Sequence, residues 1–199
     1  MANLKEILEN GGAVILPTET VYGLFAQAMN EAAVEHVYQL KRRPKDKAMN
    51  LNVADLETIL AFSKNQPSYL KTLYEAFLPG PLTIILQAND LVPAWINSGL
   101  STIGFRIPNH PKTLELIQQT GPLIGPSANI SGRESGKIFA DIKTQFNNEV
   151  TGLADDAALT GVDSTILDLS GETARILRQG AITKAELLAV APELSFESN

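Results

Sequence analysis

Ala13-Val14-Ile15-Leu16-Pro17-Thr18-Glu19-Thr20-Val21-Tyr22-Gly23-Leu24 opens as an apolar run and halts at a proline. It then passes through two threonines and a glutamate and turns apolar again. The run is short, rich in β-formers and bounded by Gly11-Gly12 and Pro17, which predicts a buried strand ending in a loop. Open α/β sheets bind ligands at the carboxyl ends of their strands, so hydroxyls at Thr18 and Thr20 stand where a polar ligand would be held. The same residues also suit a turn in which threonine hydroxyls bond the nearby backbone.

Outward from this stretch, helix and strand signals alternate. Asn3 caps a short helix, with Glu6 completing a capping box and Gly11 stopping it. Asn30 caps a helix to about Leu40, whose apolar face is Ala33, Val34, Val37 and Leu40. Met49–Val53 reads as a strand, Asp55 starts a helix, and Pro67-Ser68 opens another that ends at Pro79. Leu82–Ala88 and Ser101–Pro108 are strands; in the second, Ile103, Phe105 and Ile107 share one face and Thr102, Gly104 and Arg106 the other. Pro111 leads a helix to Gly121, Pro122–Gly125 is a short buried strand, and Ile138–Phe146 is helical. Ser164–Ser170 and Ala174–Arg178 are late strands, and Thr183 with Glu186 forms a second capping box. The tail, 193–199, is expected to fray. With no repeat, low-complexity tract or linker, residues 1–199 read as one α/β domain built on a mixed sheet.

Composition narrows the chemistry. A chain of 199 residues with 44% hydrophobic and 19% charged residues can bury a sizeable core. The absence of cysteine excludes disulfides and thiolate metal sites, and His36 and His110 alone do not make a multi-histidine zinc centre. No apolar run approaches the roughly 20 residues of a membrane span, and no signal-peptide core opens the chain, so a cytoplasmic location is expected. A net charge of −6 argues against a basic nucleic-acid coat but leaves room for a local polyphosphate site.

Polar groups recur at the predicted strand ends: Thr18–Thr20, Lys41–Lys47, Arg106, Ser127–Asn129, Ser164-Thr165 and Arg178. Together they point to a cleft holding cations and hydroxyls. Lys41–Lys47 carries five cations around Asp46, and reads as a solvated loop or as a polyphosphate site. Arg106, inside an apolar strand, needs either an internal acid or a ligand anion. Gly125-Pro126-Ser127-Ala128-Asn129 lets a ligand approach the backbone, or is an ordinary turn. Neither a P-loop nor a dinucleotide fingerprint is present, and no Ser-His-Asp set is legible. His110 reads as a helix-start residue in preference to a base, and Asp155, Asp156 and Asp163 as loop caps or magnesium ligands.

PTETVYGL (17–24), KRRP (41–44), PGPLTIIL (79–86), FRIPNHP (105–111), GPSANISG (125–132), DSTILDL (163–169) and ILRQGAI (176–182) together resemble the YrdC-like threonylcarbamoyl-AMP synthases, in the family's order. The resemblance implies a short, single-domain form: a twisted mixed sheet, flanking helices and a large, positively lined concave cleft. It implies that ATP, L-threonine and bicarbonate or CO2 give threonylcarbamoyl-AMP and pyrophosphate, with Mg2+ accompanying ATP. A downstream tRNA threonylcarbamoyl transferase complex would use the product, and RNA contact is a further expectation. By resemblance, Lys41 and Arg43 are the catalytic cations and face ATP together with Lys47, Thr102, Ser127, Asn129, Ser135 and Arg178. Thr20, Asn52, Arg106, Gly125 and Ser164 fall on threonine-contact positions. The chain departs from the family at Lys47-Ala48-Met49 and Asn52, where Asn-Pro-Leu and a histidine are common, and at Asp163, where Glu or Pro is common. Two other function classes are compatible with the residues: a carbamoyl-adenylating enzyme of the same fold with another substrate, and a non-enzymatic double-stranded RNA or tRNA-binding module.

Overall fold

The computed structural model describes residues 3–197. In chain order the elements are α1 (Leu4–Glu9), β1 (Val14–Leu16), β2 (Gly23–Gln27), α2 (Glu31–Lys41), β3 (Leu51–Asn52), α3 (Leu56–Ala61), β4 (Ser63–Lys64), α4 (Leu70–Phe77) and β5 (Leu82–Ala88). The second half adds α5 (Ala94–Asn97), β6 (Thr102–Arg106), α6 (Pro111–Thr120), β7 (Leu123–Ile124), α7 (Phe139–Gln145), β8 (Thr165–Asp168), β9 (Arg175–Arg178) and α8 (Lys184–Val190). The strands form one twisted mixed sheet in the order β1-β2-β7-β3-β6-β5-β8-β9, with β4 also pairing β5. β3 pairs β6 and β5 pairs β8 in parallel, while the other pairs of named strands are antiparallel.

The opening run is continuous in apolar residues because the sheet is covered on both faces. Val14 and Leu16 of β1 and Phe25 of β2 join Leu8, Leu116 and Ile117 beneath α1 and α6. Ile15, Leu24 and Ala26 point the other way, into the main core with Val34 and Val37 of α2, Leu73 of α4 and Leu187 of α8. This split follows the two-residue period of a strand. In β6 the predicted alternation holds: Ile103, Phe105 and Ile107 are 2%, 0% and 0% exposed, while Arg106 emerges on the other face.

Capping chemistry sets several boundaries. Asn3, Asn30 and Asp55 each accept a backbone N–H three residues on, at the starts of α1, α2 and α3. The reciprocal capping box is formed at Thr183 and Glu186, whereas at α1 only the Asn3 half of the predicted box is made. The predicted strand Met49–Val53 contracts to Leu51–Asn52, because Met49 instead donates its N–H to the Ile96 carbonyl. The expectation of a frayed tail is corrected over 193–197. Ala174 donates to the Ser195 carbonyl at 2.7 Å, Phe196 bridges to Ala174, and Leu194 is 5% exposed. Residues 198–199 of that expectation lie outside the described residues. No helix among the described residues is long and apolar enough to cross a membrane.

Candidate functional site

The loop after β1 is shaped by its own hydroxyls. Thr18 Oγ1 donates to the Val21 carbonyl at 2.7 Å and accepts the N–H groups of Thr20 and Val21. Thr18 therefore makes the turn that the sequence also allowed. Thr20 is different. Its Oγ1 accepts from Arg106 Nη2 at 2.7 Å, at the carboxyl end of β6.

Arg106 is held from one side. The same Nη2 donates to Glu19 Oε1 at 2.8 Å, and Glu19 Oε2 accepts the Asn109 N–H at 2.9 Å. The arginine thus has the internal acid that its burial calls for. The acid leaves part of the fork unfilled: the Nε–H is buried and unpartnered, and Nη1 bonds no described residue. Asn52 sits beside it in parallel register with Arg106 and is 4% exposed. Gly125 closes this corner, since a Cβ there would lie 2.4 Å from Phe25 Cε1 and 2.7 Å from Asn52 Nδ2. Only a glycine lets the three segments pack so closely.

The basic segment behaves as two unlike halves. Arg42 takes a left-handed conformation, φ +50°, and ends α2, which swings Arg43 out of the helix. The Arg43 guanidinium donates to the carbonyls of Lys47 (3.1 Å) and Ala48 (2.8 Å), and no acid among the described residues pairs with it. Lys41 is 1% exposed and lies underneath the Ser127–Asn129 loop. Its ammonium donates to the Ser127 carbonyl, to the Asn129 carbonyl at 2.6 Å and to Asn129 Oδ1 at 3.4 Å. Burial, with Arg43 nearby, pushes its pKa down to about 7, so near neutral pH it exchanges between a cation and a neutral donor.

The Ser127–Asn129 loop extends the sheet. Leu24 donates to the Pro126 carbonyl and Ala128 to the Tyr22 carbonyl, each at 2.8 Å, and Gly23 bridges to Ser127. Ser127 Oγ donates to Asn129 Oδ1 at 2.6 Å, while the Asn129 amide donates to the Arg133 carbonyl. On the far side, Arg178 Nε and Nη2 reach the carbonyl and hydroxyl of Ser164, both at 3.0 Å, and Nη1 lies 3.7 Å from Asp163. Ser164 in turn meets Thr83 at 3.0 Å. Gly180 allows this approach, since a Cβ there would meet the backbone of Asp163–Thr165 at 2.3–2.5 Å.

Several of these groups line a cavity of about 280 Å³. That lies just below the usual range of ligand sites, roughly 300–1,000 Å³. Of the expected site residues it brings together Arg43, Asn52, Arg106, Gly125, Ser127, Ser164 and Arg178. Thr20 stands directly behind Arg106, and Lys41 and Asn129 brace the wall from beneath. Lys47, Thr102 and Ser135 do not line it. Lys47 is exposed and contributes its carbonyl to Arg43, and Thr102 pairs Gln87 within the sheet. Asp163 is the carboxylate in the lining, and no cluster of three or more His, Asp or Glu able to hold a metal occurs among the described residues.

Sequence reasoning missed two things. One is the anchoring role of Glu19, whose signal was only that Arg106 needed an acid. The other is a network in which Tyr22, a buried residue of the cavity wall, is tied to two exposed aspartates. The Tyr22 hydroxyl donates to Asp156 at 2.6 Å and accepts the Asp155 N–H, and Asp156 accepts the Phe139 N–H at 2.9 Å. Burial, and then the Asp156 hydrogen bond, push the Tyr22 pKa above the usual phenol value. His110 begins α6, as expected, and its Nε2 lies 3.2 Å from Asp155. Asp155 and Asp156 are thus loop anchors, one of the two roles left open by the sequence.

The Sua5/YciO/YrdC family model, described as telomere recombination, matches residues 6–180. The chain is 36% identical over 193 residues to a threonylcarbamoyl-AMP synthase of Bacillus subtilis, covering 96% of this chain and 56% of the relative. A threonylcarbamoyl-AMP synthase of Pyrococcus abyssi is 35% identical over 189 residues, 94% of this chain and 56% of its own length. The crystal structure of P. abyssi Sua5 complexed with L-threonine superposes with a TM-score of 0.90 at 34% identity, covering 98% of this chain and 58% of that one. The chain therefore spans little more than half the length of these relatives.

Proposed function

The chain belongs to the Sua5/YciO/YrdC family, and from that premise we propose that it joins L-threonine, bicarbonate or CO2, and ATP into threonylcarbamoyl-AMP with release of pyrophosphate. The observation that carries this reading is that the cavity offers two kinds of guanidinium. Arg106 has its charge balanced by Glu19 and keeps N–H groups for a small anion. Arg43 is oriented by carbonyls alone and keeps its full charge. A carboxylate suits the first and a triphosphate the second.

In this reading threonine's amine takes up CO2 to give an N-carboxylate, whose oxygen attacks the α-phosphorus of ATP as pyrophosphate leaves. Arg106, with Thr20 behind it and Asn52 and Gly125 beside it, receives the threonine carboxylate. Arg43 and Arg178 stabilise charge that develops on the phosphates, and Lys41 holds Ser127 and Asn129 in place for the nucleotide. No protein nucleophile is required; the residues act by positioning and by preorganised charge. With Asp163 as its carboxylate, the lining fits an Mg2+ that arrives as part of MgATP. The product, an activated carbamoyl donor, would pass to a tRNA threonylcarbamoyl transferase complex.

The test is incubation with MgATP, bicarbonate and single amino acids, following pyrophosphate and the adenylate. Threonine-dependent release is expected. Equal release with another amino acid, or with none, would overturn the assignment and favour a related carbamoyl-adenylating activity.

A further inference from the structure

We propose that Glu19 is a specificity-determining residue: it balances the charge of Arg106 and fixes its guanidinium, so that this corner of the cavity takes a single carboxylate and turns polyphosphate away. The inference rests on the reading of the cavity given above. Glu19 does not line the cavity. Its carboxylate lies behind, joining Arg106 Nη2 to the Asn109 N–H, with side chains only 16% and 14% exposed for Glu19 and Arg106. Its own carbonyl accepts the Thr160 N–H at 3.0 Å, so the backbone is pinned as well. With Thr20 Oγ1 taking the other hydrogen of Nη2, the guanidinium cannot rotate without breaking both bonds. What remains for a ligand is the Nη1 group, since the Nε–H is buried away from the cavity.

Charge explains why this matters. The cavity exposes three guanidinium groups, Arg43, Arg106 and Arg178. A substrate carrying three phosphates would be drawn to each of them, and a triphosphate lodged on Arg106 would block the amino acid. A carboxylate 2.8 Å from Arg106, in a poorly solvated pocket, cancels most of the attraction for a multiply charged anion. It leaves the directional N–H groups that a monoanion can use. Arg178 is different, since Asp163 lies 3.7 Å away and both side chains are more than 40% exposed, so water screens that pair. The cavity therefore sorts anions by charge through an acid that never touches them.

The test uses inorganic pyrophosphate as the probe, titrated calorimetrically into the ligand-free protein. Glu19→Gln removes the charge while keeping an acceptor for Arg106. It should bind one equivalent of pyrophosphate more than the wild type, and the extra equivalent should vanish in the Glu19→Gln/Arg106→Gln double variant. Glu19→Asp retains the charge and should match the wild-type stoichiometry. In turnover, pyrophosphate should become competitive against threonine in Glu19→Gln, with inhibition stronger by about tenfold. If the amide variant folds poorly by circular dichroism, Glu19→Ala serves in its place with the same expected extra equivalent. Equal stoichiometry in the wild type and in the folded charge-removing variant would overturn the proposal. If the wild type showed no threonine-dependent pyrophosphate release, the proposed activity would fall, while the binding count, which needs no turnover, would still decide the role of Glu19.

Discussion

Lys41→Met should abolish a pH dependence of stability that the wild type carries between about pH 7.5 and 9. In the unfolded chain Lys41 titrates at its ordinary value of 10.5; in the folded protein burial pushes it down to about 7. Between those values the unfolded state binds one proton more than the folded state, so stability rises with pH and the effect is lost as pH falls through 7. The slope is about 1.4 kcal/mol per pH unit, or about 2 kcal/mol over the window. Methionine fills much of the same volume but leaves the Ser127 and Asn129 carbonyls without their donor, at a cost of about 1–3 kcal/mol for each buried acceptor. The variant is therefore expected to be less stable at both pH values, with a flattened slope. Urea unfolding at pH 7.5 and 9 measures both quantities in the two proteins. The wild-type/variant difference isolates Lys41 from other groups, and the pH 9 limit avoids the phenol range, where Tyr22 acts in the opposite sense. An identical slope in the two proteins would show that Lys41 is an ordinary cation, and the buried-brace reasoning would fail.

Three further substitutions probe other parts of the structure. Arg43→Ala should slow pyrophosphate release about a hundredfold, equivalent to about 3 kcal/mol of lost charge stabilisation, with little change in melting temperature. Gly125→Ala forces a methyl group to within 2.4 Å of Phe25 and should lower stability by about 1–3 kcal/mol in thermal denaturation, with weaker threonine saturation because Asn52 must move. Thr183→Ala removes the capping box of α8, outside the cavity lining, and should cost about 1 kcal/mol in urea unfolding while turnover stays at the wild-type level.

Most element positions were legible because their signals are local. Leu82–Ala88 is bounded by Pro79-Gly80-Pro81 and is a strand over the same residues, and Asn30, Asp55 and Thr183 cap the helices that follow them. β2 was not, because Gly23–Gln27 mixes glycine with alanine and glutamine, and what makes it a strand is pairing with β1 and β7. β4 and α5 are too short to leave a periodic pattern, at two and four residues. Within the site, Arg106 betrayed itself as a cation in an apolar strand, but its partner came from 87 residues earlier, a distance that no local pattern spans. The basic segment showed its charges and not their separate fates. Lys41 goes under the Ser127–Asn129 loop because it still lies in the last turn of α2, whereas Arg43 follows the left-handed Arg42.

The hydrogen bonds from Leu24 to Pro126 and from Ala128 to Tyr22 join residues about a hundred positions apart, and Arg178 completes the same cavity. During synthesis, at about 5–20 residues per second, the amino-terminal loop must therefore wait for most of the chain to emerge before it has anything to grip. A nascent chain halted at residue 150 would carry Thr20, Arg43 and Arg106 but neither Ser164 nor Arg178. Small-molecule ligands of this cavity thus meet their full set of contacts only once translation has passed Arg178.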